Sequence, residues 1–165
     1  MGDFVSVEMD QNRLNRAMFR FLTKQIPAVR DVVVRSTALE VVALVTRALN
    51  GVDGLPKRID TGRLRAGWRI ALSSMGFQTT GLDAPSSGNP DNPSQDDDGD
   101  GQYTHNERVS IAVVSNNVRY ARFVEDGTSR MRPGHHLKRA LRLVAREFEE
   151  SLAREMAAAA KAEGA

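Results

Sequence analysis

Residues 28–49 constrain the fold more than any other part of the chain. The stretch contains seven valines, which by propensity favour a strand. Its 22 residues nevertheless greatly exceed the length of an ordinary strand. Val34, Ala38, Val41, Val45 and Ala48 fall on one helical face, with Val33, Leu44 and Leu49 beside them. Val32, Leu39 and Val42 lie elsewhere around the wheel. The pattern predicts a long helix that is apolar on more than one side. Such a helix needs cover from several directions, which points to packing between subunits.

Around it the chain reads as follows. Val5, Val7 and Met9 alternate in a short strand over residues 4–9. Asp10 caps a helix through Gln25, with Leu14, Met18, Phe21 and Leu22 at helical spacing, and Pro27 stands where a new helix can begin. The Gly51–Pro56 segment breaks the long helix. Asp60 or Thr61 is placed to cap a short helix presenting Leu64 and Trp68 four residues apart. Arg69 to Phe77 reads as a strand. Arg108 to Ser115 reads as a clearer one, with Val109, Ile111 and Val113 alternating against Ser110 and Ala112. Pro133 opens a C-terminal helix with Leu137, Leu141, Val144, Phe148 and Leu152 on one face and Arg146, Glu150 and Arg154 along its outside.

The expected class is α+β. Long N-terminal helices and a C-terminal helix pack on a small antiparallel sheet, within one domain spanning 1–165. A flexible acidic insertion is expected at 78–106, between the two strands. Within it, Asp83 to Gly101 consists of Pro, Gly, Ser, Asn and Asp apart from Ala84 and Gln95. That composition buries too little apolar surface to offset ordering entropy. Elsewhere no apolar run approaches the roughly 20 residues of a bilayer span. The N-terminus lacks the features of a signal peptide. With no cysteine, cytosolic folding is expected.

The formal charge of +2 conceals an asymmetry. Residues 83–107 hold seven acids and no Lys or Arg, leaving 23 bases against 14 acids in the rest of the chain. Nineteen of those bases are Arg, suited to bidentate pairing with carboxylates and to phosphate contact. Nucleic acid and acidic subunit surfaces are therefore both open as partners. Because Arg is scattered through every segment and no helix carries a dense basic face, sequence-reading DNA binding is the weaker alternative.

Three patterns invite a catalytic or metal reading. Asp96-x-Asp98-x-Asp100-Gly101 followed by Glu107 matches a calcium loop. Its context lacks the flanking helices, so a solvated acidic loop without a resident metal is expected. Asp60-Thr61-Gly62 is the tripeptide of aspartic proteases, but Lys57, Arg58, Arg63 and Arg65 surround it and would hold the carboxylate ionised. A helix cap is the expectation, and protease activity a remote alternative. His135 and His136 are adjacent, so on a helix they diverge by about 100° and do not share a metal. With no nucleophile elbow, phosphate loop or zinc spacing, the chain is not expected to be an enzyme, and neither catalytic nor cofactor-binding residues are assigned.

Two stretches together resemble one family. Ile59-Asp60-Thr61-Gly62-Arg63-Leu64-Arg65-Ala66-Gly67-Trp68 is similar to the "V-D-T-G-x-L-R-x-S" segment of tailed-phage tail-completion and head–tail joining (neck) proteins, relatives of the minor tail protein Z type. Val118-Arg119-Tyr120-Ala121-Arg122-Phe123-Val124-Glu125-Asp126-Gly127-Thr128-Ser129-Arg130-Met131 is similar to their "Y-A-x-x-V-E-x-G-T-S-x-M" segment. The order also agrees, with a long helix before the first motif, strands between, and a proline followed by a helix after the second. The chain departs from the pattern in Gly134-His135-His136, where the family often has an aromatic after the proline, and in the acidic insertion.

The resemblance implies a non-catalytic virion protein that assembles into a ring, commonly of six, between head connector and tail tube. Its partners would be other copies of itself, the connector or adaptor, and the tail tube or terminator, with genome DNA passing through the lumen. No membrane is involved, and assembly takes place in the host cytoplasm. On that basis Arg63, Arg65, Trp68, Tyr120, Phe123, Glu125 and Arg130 are the candidates for intersubunit or core-organising contacts.

Overall fold

The structure is a computed structural model that describes residues 11–51, 62–79 and 95–164. The expected strand at 4–9 and the caps Asp10, Asp60 and Thr61 lie outside these residues. Helix α1 (Gln11–Arg20) runs through a wide π-turn (Phe21–Gln25) into α2 (Ile26–Leu49). Pro27 explains the π-turn. Its ring has no N–H and would collide with the carbonyl four residues earlier in regular α geometry, so the helix widens just before it and continues. The Ile26 N–H reaches back five residues to the Phe21 carbonyl.

Length prevails over valine propensity in α2, as expected. Val29, Val33, Ala38, Val42, Val45 and Leu49 are all buried. The cover comes largely from the same chain, which corrects the expectation that this helix needs a neighbouring subunit. Helix α5 (His136–Gly164) packs along it, and α3 (Arg63–Ser74) and the sheet cover another side. Val32 is the large apolar residue of α2 left exposed.

Two further expectations are corrected. Arg69–Phe77 is no strand, because α3 runs on to Ser74. The reason is visible in Leu64, Gly67, Trp68, Ala71 and Leu72, all buried, whose spacing is that of one helical face. Residues 80–94 of the expected acidic insertion lie outside the described residues, but its end is not loop, since Asp96–Asp98 form a 3₁₀ turn and Gly99–His105 form strand β1. This strand pairs antiparallel with β2 (Ser110–Asn116), in register Gly101 with Val114 and Tyr103 with Ala112.

The two-stranded sheet is α+β in the expected sense, but its β2 faces are inverted from the usual rule that the apolar side of an alternating strand turns inward. Ala112 and Val114 pack toward the core, while Val109, Ile111 and Val113 face out. The inner face meets α3 at very close range. A Cβ built on Gly99 would lie 1.8 Å from the Gly67 carbonyl oxygen, and one on Gly101 1.9 Å from that of Ala71. Only glycine lets the two backbones approach so closely.

After β2, a short helix α4 (Ala121–Asp126) leads through Gly127 and the Thr128–Met131 turn into α5. Helix α5 begins at His136, not at Pro133. Its inward face is carried by Leu137, Ala140, Val144 and Phe148, whereas Leu141 is half exposed. Ala140 takes the core position expected of Leu141, because a small residue lets α5 approach the β-branched surface of α2.

Candidate functional site

The first motif organises the chain internally. Gly62 precedes α3 with φ 73°, the left-handed region that glycine enters freely. Arg63, in the first turn of α3, reaches across to Asp98. Its Nε lies 2.7 and 2.6 Å from the two carboxylate oxygens, and one terminal nitrogen donates to Gln95 Oε1 at 2.8 Å. The Gln95 backbone N–H donates to the same carboxylate at 2.8 Å. Asp98 is only 2% exposed. Burial alone would raise its pKa, but the Arg63 bonds, the Gln95 N–H and the Arg63 charge together hold it below the ordinary carboxylate value. Arg65 donates to Asn50 Oδ1 at 2.6 Å, tying α3 to the end of α2, and Trp68 is buried in the core.

The second motif is a corner that sets the start of α5. Tyr120 packs against the core, whereas Phe123 and Arg130 are exposed. Glu125 accepts backbone N–H bonds from Leu137 at 3.0 Å and Lys138 at 2.9 Å. A carboxylate is favoured at a helix N-terminus both by these unpaired donors and by the helix dipole. Thr128 Oγ1 accepts from the Arg130 and Met131 N–H groups. Gly127 has φ 79°, and Gly134 leaves room for the buried His136 ring, which a Cβ there would meet at 2.0 Å. Glu125→Ala is expected to lower stability by about 1–2 kcal/mol through loss of the cap, while Glu125→Gln loses less. Urea unfolding at fixed protein concentration measures both.

The two motifs meet at a cleft of about 290 Å³ lined by Leu49, Leu64, Trp68, Val114, Glu125 and His136, among others. Its lining is mainly apolar, and Glu125 is committed to the helix end. Of the seven interface candidates, Arg63, Arg65, Trp68, Tyr120 and Glu125 are thus placed at contacts within the chain. Phe123 and Arg130 remain on the surface.

The calcium pattern is not assembled. Asp98 turns inward onto Arg63, Asp100 faces out, Gly101 is paired within β1, and Glu107 lies in the hairpin turn, its carbonyl accepting from Arg30. Among the described residues no group of three or more His, Asp or Glu side chains is arranged to hold a metal.

Two clusters had no sequence motif to announce them. Arg30 of α2 clasps the β1–β2 turn by donating to the carbonyls of Asn106, Glu107 and Arg108 at 3.2, 2.7 and 2.5 Å. Next to it, Asp31 bonds Arg35 and the Tyr103 hydroxyl. The Arg35 guanidinium also lies 4.4 Å from the Tyr103 ring centre and 5.1 Å from that of Phe77. The available signal was the period of two in Gly99-Asp100-Gly101-Gln102-Tyr103, hidden by its acidic composition.

A family model described as "Bacteriophage HK97-gp10, putative tail-component" matches residues 5–127. No curated protein and no solved structure matches the chain significantly.

Proposed function

This chain belongs to the HK97-gp10-like family of bacteriophage tail components, and from that premise we propose that it is a structural subunit of the neck, forming a ring of six copies that completes the tail or joins it to the head connector. The observation that carries this reading is the family match over residues 5–127, which takes in the whole first motif and the second as far as Gly127. Chemistry supports it. Among the described residues of the two motifs, Arg63 is held in an ion pair and Glu125 at a helix end, roles that organise the fold. The subunit works by assembly, as a single folding unit carried in the virion after synthesis in the host cytoplasm. Its partners are its own copies, the connector or adaptor, and the tail tube or terminator, around a lumen through which DNA passes. No helix among the described residues is long and apolar enough to cross a membrane.

Light scattering of the purified protein, alone and mixed with purified tails, is expected to find a closed oligomer in at least one condition. Electron microscopy is expected to place it at the head-proximal end of the tail. A stable monomer absent from purified particles would overturn the reading.

A further inference from the structure

Among the described residues, two of the exposed apolar patches differ in charge. The first is the side of α1 and the π-turn that carries Met18, Phe19 and Leu22, with Phe19 68% exposed. Among the described residues, helix α1 makes its main contacts with the π-turn that follows it. The second is the outer face of the sheet, where Val109, Ile111 and Val113 form a stripe along β2, Ile111 48% and Val113 52% exposed. The register sets Thr104 beside Ile111 and Gln102 beside Val113 on that same face.

Charge separates the two. From Gln11 to Arg30 there is no acid, and the helix surface carries Arg16, Arg20 and Lys24. At the two ends of the sheet face stand Asp96, Asp97, Asp100 and Glu107, all exposed, with Arg108 and the turn-clasping Arg30 as the cations near the hairpin end. Dimensions also agree. A ten-residue helix is about 15 Å long, and a seven-residue strand pair offers about 23 Å. A two-stranded ribbon covered on one face only is a weak unit by itself and gains from a second layer.

We propose that α1 of one copy lies across the outer sheet face of the next. Met18, Phe19 and Leu22 then pack on Val109, Ile111 and Val113, with the helix cations against the strand-end carboxylates. Because the contact joins two different surfaces, it is head-to-tail. Repeated around an axis it closes a ring. The proposal rests on the ring reading above and adds the faces that build it.

The chain has no cysteine, so single-cysteine variants report neighbours cleanly. Asn15→Cys and Gln102→Cys sit beside the two apolar surfaces and leave all six apolar side chains in place. Mixed in equal amounts and treated with a short bis-maleimide, free or in particles, the two variants are expected to give at least fivefold more cross-linked dimer than either alone. The double variant is expected to give a ladder up to the ring size. Arg20→Glu is expected to weaken assembly at least tenfold, and Asp100→Arg in the same chain to restore it. Assembly by light scattering without the heterotypic cross-link would overturn this contact and leave the ring reading standing. Cross-linking of Asn15→Cys to a different virion protein, or to DNA through an amine-reactive or photoreactive arm, would overturn it too. Absence of any oligomer, free or in particles, would remove both.

Discussion

Gly99→Val is expected to be among the most damaging single substitutions in this chain, costing about 3 kcal/mol or more of folding stability, with Gly99→Ala close behind. The reason is contact, not backbone conformation. Gly99 has φ −144° and ψ 148°, extended values that any residue adopts. A Cβ there, however, meets the Gly67 carbonyl oxygen at 1.8 Å, its carbon at 2.8 Å and the Ala71 nitrogen at 2.9 Å. All three are backbone atoms of α3, and no rotamer change relieves them. Either α3 moves off the sheet, exposing Trp68 and Leu72, or β1 detaches and releases Asp98 from Arg63. Gly76→Ala is the informative contrast, with φ +73° and nothing within 4 Å of the built Cβ. It pays only local strain of about 1 kcal/mol. Urea midpoints at one protein concentration compare the two, and a Gly99→Val midpoint no lower than that of Gly76→Ala would contradict the close packing of α3 on β1. The proposed α1 contact depends on this packing, since the inner sheet face seats the sheet on α3.

That strand also shows why part of the fold was legible in the sequence and part was not. The long helix was readable because 22 apolar-rich residues fit no ordinary strand, whatever the valine content. Strand β1 was unreadable because it opens with Gly99, Asp100 and Gly101, residue types depleted in strands. Gly99, Asp100 and Gly101 become a strand through tertiary contact with α3 and pairing with β2. Helix α3 was cut short at Trp68 because Ile70 and Leu72 also alternate, and only Ala71, buried as fully as Leu72, reveals the helical face.

The candidate site residues were expected at intersubunit or core-organising contacts. Arg63, Trp68 and Glu125 stood out by motif and sit at an ion pair, in the core and at a helix end, whereas Phe123 and Arg130 of the second motif stay on the surface. The exposed side chains of the proposed contact, such as Phe19 and Ile111, are plain apolar residues at regular spacing. One-dimensional pattern assigns those to the core by default.

Asp98→Ala is the second substitution with a large expected effect, at about 2 kcal/mol. Breaking a deeply buried ion pair by removing one partner costs roughly 3–5 kcal/mol. The figure here is smaller because the Arg63 side chain is 20% exposed and the freed guanidinium can turn to water. The variant also strips an acceptor from the Gln95 N–H. Acid has the same target. The folded Asp98 carboxyl lies below its ordinary value, so the native state binds fewer protons than the unfolded chain around that value, and stability there rises with pH. The contribution is fully present above the unfolded pKa, from about pH 5 upward, and is lost as pH falls through the folded pKa. Asp31 adds to the same acid limb. Burial alone would raise it, but the Tyr103 hydroxyl and Arg35 outweigh that and hold it below its ordinary value. Urea midpoints measured from about pH 6 down to about pH 2 are therefore expected to fall more steeply for the wild type than for Asp98→Asn. The Asn variant starts lower and runs flatter, because the titrating group is gone while most of the shape remains. Parallel curves for the two proteins would show that Asp98 contributes nothing through its charge, and the Arg63 pairing would then be geometry without energetic consequence.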